Sequence, residues 1–522
     1  MPYSLLLVFL LPTLGIPLAY LLAKKSPKYA AILVALIAVI NIGLILTTIP
    51  SIIDTGIHKE EYMWIPVLNN TQFSLFADGI SASIAIISLI LIAAASLFSI
   101  NYMQGKQNLP AYYALLSMLS IGLVGVFITS NLLLFYFCWE LMLVPAYFIV
   151  GNWGYRESYR AAFKLFIFTH AGAVFVLLGI GAIYMTTGAT DMLTIAGTSA
   201  SQNLLSSFPD LAKWILIALT AGFAVKMAIV PVHMWLPDAH SEAPATMSAL
   251  LSGVIISAGA YAILRLSLGT VLPAVTLTDG AFATNFIHGL AVFGVISAFF
   301  GSFVALVETD IKRIIAYSSI AHMGYVLFGL SLFPIALTLN NTLAAIVAAS
   351  TAITGTVLHI ITHATSKGLF FLSAGSVMHQ TEARNIDEMG GLASKLPITG
   401  ASSIVAALSI AGSPPFACFW SEFLIFVGAF EIINNDGFFV WPTIFMLIAT
   451  VLSLAYSLRF IYRVFLGKSR SKTANAEESG EKKLFEVPNY MKAGMLILVV
   501  FVILLGVYPA FFINLIGGLP II

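Results

Sequence analysis

The chain is a succession of apolar runs, each about as long as a bilayer is thick, and few folds accommodate that pattern. A membrane-spanning helix needs about 20 largely apolar residues, because a rise of ~1.5 Å per residue has to cover a hydrocarbon core of roughly 30 Å. Runs of that length recur from one end of the 522 residues to the other, 60% of which are hydrophobic and only 9% charged. In lipid, every backbone N–H and C=O must find its partner inside the protein, so an apolar run of this length folds as a helix. The expected fold class is an all-α polytopic membrane protein with about fourteen transmembrane helices. They are placed at roughly 3–23, 30–52, 81–101, 110–130, 132–150, 161–187, 211–232, 244–267, 286–307, 314–334, 342–372, 398–430, 440–464 and 493–515. The opening Met-Pro-Tyr-Ser has neither a basic segment nor a small-residue cleavage site, so the first run reads as a retained span and not as a signal peptide.

The connecting segments divide sharply by charge. Those after odd-numbered spans carry most of the basic residues, among them Lys24, Lys25, Lys106, Arg156, Arg313 and Arg384. Those after even-numbered spans hold few: Lys59, Lys213 near a span start and Arg265 near a span end. The long connections 188–210 and 268–285 have none. Lys and Arg accumulate on the cytoplasmic side of membrane proteins, so both termini are expected outside, in the cytoplasmic membrane of a prokaryote. The polar stretch from Gly467 to Lys483 reads as a solvated connector before the last helix.

Net charge is +1, which gives no electrostatic basis for nucleic-acid binding. Cys138 and Cys418 both fall in apolar spans, and the sequence has no C-x-x-C or C-x-x-C-H motif. Iron–sulfur clusters and c-type haem are therefore not expected, and the chain is read as carrying no electrons itself.

Against this background, ionisable residues inside spans stand out. An unpaired charge at membrane depth costs several kcal/mol, so such a residue is a functional candidate. Glu140 lies in Phe135-Tyr-Phe-Cys-Trp-Glu-Leu-Met-Leu-Val-Pro145, Lys226 in Ala224-Val-Lys-Met-Ala-Ile-Val-Pro231, and Glu422 in Phe419-Trp-Ser-Glu-Phe-Leu-Ile. Three intramembrane charges point to a path for a charged species, most simply a proton. Glu140 and Lys226 are natural partners, because a carboxylate and an ammonium share the desolvation cost, and a pair whose separation changes acts as a proton gate. His359, His363 and Lys367 follow at i, i+4 and i+8 on one helix face, which suits a relay through imidazoles that titrate near neutrality. With no carboxylate or cysteine on that face, no metal site is expected. His322 extends the relay or sits as a core histidine. Lys164 and His170 are candidates for a cytoplasmic entry or for tuning Glu140. Asp238, His240 and Glu242, following His233, are read as a cytoplasmic turn that guides protons or is simply solvated. Glu308, Asp310, Lys312 and Arg313 read as a loop ion cluster.

Two spans carry breakers near these charges. The seventh runs into Pro231-Val-His-Met-Trp-Leu-Pro237, and the twelfth contains Gly412-Ser-Pro-Pro415. Proline removes a helical hydrogen bond and clashes with the preceding turn. Paired interrupted helices mark ion sites in transporters built from repeats. The expected organisation is N-terminal helices over 1–109, one five-helix repeat over 110–267, a second over 286–464, and the connector and last helix over 465–522.

Several of these segments together resemble the antiporter-like subunits of respiratory complex I and its relatives. Trp139 to Pro145 resembles the fifth-helix glutamate motif of that family, and Val225 to Pro244 its seventh-helix lysine motif with the following turn. Lys312-Arg-Ile-Ile-Ala-Tyr-Ser-Ser-Ile-Ala-His-Met-Gly324 and Gly412-Ser-Pro-Pro-Phe416 are similar to further family motifs. The resemblance implies two inverted five-helix repeats with broken seventh and twelfth helices, a coupled pair at Glu140 and Lys226, and an ionisable residue at Glu422. A glutamate there is the M-type choice, where the L- and N-types carry lysine; a long C-terminal lateral helix, found in the L-type, is not seen. The chain departs from the family at Val254-Ile-Ile-Ser-Ala-Gly-Ala-Tyr261, where Ser257 stands in place of a connecting lysine. Either Lys367 takes over that charge, or water crosses near Ser257.

The resemblance further implies a proton-translocating membrane subunit of a redox-driven pump. Flavin, iron–sulfur clusters and quinone would lie in partner subunits: further antiporter-like membrane subunits and a peripheral redox arm, with lipid around them. The rival expectations are a subunit of a multi-subunit Mrp-type cation/proton antiporter, a component of a membrane-bound hydrogenase, and a scaffold that docks redox subunits without pumping.

Overall fold

A computed structural model describes residues 3–67, 71–334, 343–468 and 484–517. Most of the polar connector expected over 467–483 lies outside the described residues. Twelve helices among those described are long and apolar enough to cross a membrane, and they coincide with twelve of the expected spans. The seventh and twelfth expected spans are the two that do not form one continuous helix. The seventh is a helix over Pro209–Met227 followed by the short helix Leu236–Glu242. The twelfth is split into Pro397–Ile410 and Cys418–Ile433.

Several of the spans start where a side chain replaces the missing backbone acceptor. Asp78 begins the third span, Gly79–Tyr102, with a capping box completed by Ser81. Asn131 accepts from the N–H groups of Leu133 and Leu134 at the start of the fifth, Leu132–Trp153. Asp310 does the same through Lys312 and Arg313 at the tenth, Ile311–Leu332. Each satisfies N–H groups that the first turn leaves without a partner.

Packing sorts the spans into an inner and an outer set. The third, eighth and tenth are almost wholly enclosed by other helices, whereas the first, second, ninth, thirteenth and last turn large apolar side chains outward. Close helix contacts rely on glycine. A Cβ on Gly324 would fall 2.5 Å from the Gly294 carbonyl oxygen, and one on Gly222 would fall 2.5 Å from that of Gly172. Neither contact admits a side chain, which is how helices approach closely where no water drives them together.

Three parts of the chain differ from the sequence expectation. Residues 53–80 contain an antiparallel hairpin, His58–Ile65 (β1) with Thr71–Ala77 (β2), and Leu75 continues it to Thr129 as an isolated bridge. The polar run His58-Lys-Glu-Glu carries no apolar alternation to announce a strand. The Glu60 carboxylate caps the start of the first helix, Ser4–Lys25: its oxygens accept from the N–H groups of Leu5 at 2.9 Å and Leu6 at 3.1 Å, and from the Tyr62 hydroxyl at 2.8 Å. The eighth span is longer than 244–267, because helix persists as far as Thr278 and absorbs part of the expected 268–285 connection. It widens to π-helix over Leu251–Ile255 and Ile263–Val271, with Ser257 between the two. Finally, Arg265 is not a loop-end charge but a buried one. It pairs with Asp78 and lies over the rings of Phe76 and Tyr261 at 5.6 and 5.4 Å. A carboxylate 187 residues away in sequence supplies its counter-charge, so no local pattern could reveal it.

Partial burial works against the charge on Glu60, but the backbone and tyrosine hydrogen bonds outweigh it and hold its carboxyl below the usual glutamate range. Its stabilisation is therefore complete above the ordinary glutamate value and is lost as pH falls through the lowered folded value. Glu60→Gln is expected to weaken the cap by about 1 kcal/mol, which hydrogen–deuterium exchange reads as faster exchange of the Leu5 and Leu6 amides; unchanged exchange would show that the cap contributes nothing.

Candidate functional site

The break in the seventh span places Lys226. The helix stops at Ala228, whose φ of 58° is left-handed. The carbonyl of Val225 is taken by the Trp235 indole N–H at 2.9 Å, and the freed Val230 N–H donates to the Ser297 hydroxyl at 3.1 Å. Groups that lipid could not satisfy are thus satisfied by protein. Lys226, 2% exposed, sits in the last turn of the helix, where the C-terminal dipole favours a cation. Its ammonium donates to the Trp139 carbonyl at 2.9 Å and lies 3.9 Å from the centre of the Trp139 ring. A cation over the face of a tryptophan is attracted by the ring's negative π-face, more so away from water. The ring itself is held by Phe135 and Phe223 at 5.7 and 5.2 Å.

Glu140 is the next residue after Trp139, yet the two charges do not touch. Among the described residues no ion-pair contact joins Lys226 to Glu140, although the carboxylate is within electrostatic reach. Oε2 of Glu140 lies 3.2 Å from Nδ1 of His170, and Oε1 is buried without a hydrogen-bond partner. His170 stacks on Phe166 and is 47% exposed on the outer face of the bundle. The expected direct pair is therefore a separated one: the carbonyl that accepts from Lys226 belongs to the peptide unit that leads into Glu140.

Lys164, the other residue expected to tune Glu140, is committed elsewhere. It pairs with Asp238 at 2.7 Å, as does Arg313, also at 2.7 Å. The turn after the break is not solvated throughout. His240 is fully buried, stacks on Phe371 with ring centres 4.7 Å apart, and leaves both ring nitrogens without a partner. His233 is buried against Phe300. Lys312, expected in a loop cluster, is fully buried with its ammonium on the Ala243 carbonyl. Glu242 and Asp310 do face a polar cavity, of about 1050 Å³, where both pair with Arg384.

The second half gathers its titratable groups more tightly. The eleventh span, Leu343–Thr381, turns His359, His363 and Lys367 inward, all fully buried. His322, from the tenth span, places Nδ1 3.1 Å from Nε2 of His359 and 4.0 Å from Oε1 of Glu422. His359 meets Ser421 through Nδ1 at 2.9 Å, and Nε2 of His322 lies 3.3 Å from the Tyr456 hydroxyl. Lys367 donates to the Ser318 hydroxyl and to the Ile315 carbonyl, the latter at 3.2 Å. The His363 nitrogens have no partner. The helix break at Gly412 receives Glu422, and Ser453 donates to the Ile410 carbonyl at 3.0 Å at the end of the first half-helix. Ser318, Ser421 and Tyr456 were not marked by the sequence, since an isolated serine or tyrosine in a span has no periodic signature; only the adjacency of Ser421 to Glu422 hinted at its place. Ser257, between the two halves, spends its hydroxyl on the Gly253 carbonyl of its own helix at 2.9 Å.

A family profile described as "NADH:quinone oxidoreductase/Mrp antiporter, TM" matches residues 129–453, a range that contains Glu140, Lys226, the histidine cluster, Lys367 and Glu422. The chain belongs to that family. It is 32% identical over 455 residues to NADH-quinone oxidoreductase subunit M of Escherichia coli (strain K12), with 85% of this chain and 81% of that one covered. F(420)H(2) dehydrogenase subunit M of Methanosarcina mazei is 31% identical over 434 residues, covering 82% of this chain and 80% of that one. Among solved structures, a chain of the membrane-bound sulfane sulfur reductase, an archaeal respiratory membrane complex, matches with a TM-score of 0.80 at 26% identity, over 97% of this chain and 76% of that chain. Family membership fixes the fold as that of the antiporter-like membrane subunits.

Gly412 has φ of 65°, and a Cβ there would lie 2.5 Å from Oε2 of Glu422. Gly412→Ala is expected to displace the carboxylate and to add backbone strain of about 1–2 kcal/mol. Infrared difference spectroscopy checks this: the carboxyl band that vanishes in Glu422→Gln should shift in Gly412→Ala, and an unmoved band would contradict the contact.

Proposed function

We propose that this chain is the M-type proton-translocating subunit of a complex I-like, redox-driven membrane pump. The observation that carries the proposal is the set of titratable groups enclosed in both halves of the bundle: the half-buried Glu140 and the buried Lys226 in the first, and the buried Lys367, His363, His359, His322 and Glu422 in the second. Such groups are costly in a membrane interior and are found where ions or protons pass. The two relatives named as subunit M, of an NADH-quinone oxidoreductase and an F(420)H(2) dehydrogenase, support the M-type assignment. Their differing names fit a reading in which donor chemistry, with flavin, iron–sulfur clusters and quinone, lies in other subunits.

In this reading the chain is embedded in a prokaryotic cytoplasmic membrane beside further antiporter-like subunits and below a peripheral redox arm. Its two five-helix halves are inverted repeats. The end at which Lys106, Arg156, Arg313 and Arg384 surround one cavity faces the cytoplasm. The hairpin end, where Glu60 caps the first helix, faces outside together with both termini.

Lys226 is the gate. Held by the Trp139 carbonyl and ring, it is one peptide unit from Glu140, so a small displacement makes or breaks an ion pair. Pairing favours the protonated ammonium, and separation in an apolar site favours its release of the proton. Electron transfer in the partner subunits drives that displacement. Ser257 holds no charge, so the proton passes between the halves by way of Lys367 and the unpartnered His363. Glu422 is the last acceptor before release. Each outward proton works against roughly 2.3 kcal/mol per 100 mV of membrane potential.

Lys226→Ala is expected to bring proton translocation by the reconstituted complex down to background while the chain still assembles. Normal translocation in that variant would remove Lys226 from the pathway.

A further inference from the structure

Three side chains from three helices converge in the second half in a manner that a proton relay alone does not require. The donor atoms of His322, His359 and Glu422 all lie within 4.8 Å of one another, and all three residues are buried. Nδ1 of His322 and Nε2 of His359 face each other at 3.1 Å, and Glu422 Oε1 is 4.0 Å from the former. Around a tetrahedral zinc ion, with ligands at ~2.0–2.1 Å, neighbouring donor atoms stand roughly 3.3 Å apart. The histidine pair is close to that spacing, and the carboxylate is within a side-chain adjustment of it.

Two further observations fit a metal centre. Histidines that bind metals almost always anchor their second ring nitrogen, which fixes the tautomer and the ring plane. Here both are anchored, His359 Nδ1 by Ser421 at 2.9 Å and His322 Nε2 by Tyr456 at 3.3 Å, and Tyr456 is itself held by Ser453 at 2.8 Å. The Glu422 oxygen nearest the histidines, Oε1, is buried with no hydrogen-bond partner. It is the oxygen available to a cation. Lys367, on the same helix as His359, is held by Ser318 and the Ile315 carbonyl and is not a ligand.

We propose that His322, His359 and Glu422 form a binding site for one divalent transition-metal ion, with Zn²⁺ the best chemical match. Two imidazoles and a carboxylate suit Zn²⁺ with a water at the fourth position, whereas Mg²⁺ and Ca²⁺ seek all-oxygen sites. The ion takes the same lone pairs that accept protons. An occupied site therefore closes the second half of the pathway, a consequence that rests on the proposed function, whereas the binding itself does not.

The test uses the full-length chain purified in detergent, freed of metal by chelation and equilibrated with Co²⁺ and then with Zn²⁺. One equivalent of Co²⁺ per chain is expected, with the intense visible bands of four-coordinate cobalt, displaced by Zn²⁺. Because metal sites typically lose about 10–100-fold in affinity when an orienting partner is removed, Ser421→Ala should weaken binding over that range. His359→Asn and Glu422→Gln should weaken it at least as much, and His58→Asn, on the hairpin, should leave it unchanged. Should the variants fail to fold, the zinc X-ray absorption spectrum of the unaltered chain decides, with imidazole scattering in the first shell as the expected result. Absence of a stoichiometric ion, an oxygen-only shell, or unaltered affinity in both His359→Asn and Glu422→Gln would overturn the site. Tight binding that leaves proton translocation undiminished would support the site and count against the pathway.

Discussion

The desolvation of charge governs this structure. An ammonium, imidazole or carboxylate inside a bilayer must be neutral, paired or supplied with a substitute for water. The chain uses a different solution at each place. Arg265 has a buried counter-ion in Asp78 and two aromatic faces, an arrangement that holds a permanent charge in one position. Lys226 has a carbonyl and an indole ring, which favour a cation without binding it as firmly as a carboxylate would. The three histidines of the second half satisfy one another and nearby hydroxyls, or remain unpartnered as His363 does. A fully paired ion is fixed, whereas an incompletely paired one can change its state, and the proposed pathway is drawn through charges of the second kind.

The helix breaks follow from the same constraint. A continuous helix leaves no backbone group free for an ion. At Ala228 and at Gly412 the ladder stops, and the released groups are shared out to Trp235, Ser297 and Ser453. Lys226 sits at the first stop and Glu422 faces the second. The fold thereby supplies one polar discontinuity in each half, within a bundle whose other long helices run unbroken.

Much of this was legible in the sequence. Long apolar runs read as spans, and Pro231 and Gly412-Ser-Pro-Pro415 marked the two interrupted helices, because both signals are local. The hairpin β1–β2 was not legible, since His58-Lys-Glu-Glu lacks strand-like alternation. Pairings were legible only in part. His170 was marked as a neighbour of Glu140 and meets its carboxylate, whereas Glu140 and Lys226, partners by chemistry and by the family resemblance, do not touch, and the ammonium meets Trp139 instead. Arg265 with Asp78 and His322 with Tyr456 join residues far apart in the chain, and only tertiary packing brings them together. His240 and Lys312 looked like loop residues because they adjoin charged neighbours, but Glu242, Asp310 and Arg313 line the cavity while these two are buried.

The central claim is that protons cross the chain through this buried line even though Ser257 carries no charge where the halves meet. Proton translocation measured in sealed vesicles, driven by the complex's own electron donor, tests it in Lys367→Ala and in the same variant combined with Ser257→Lys. The account predicts loss of translocation in the first and its return in the second. Normal translocation in Lys367→Ala would show that the charge on Lys367 does not connect the two halves, and would contradict it.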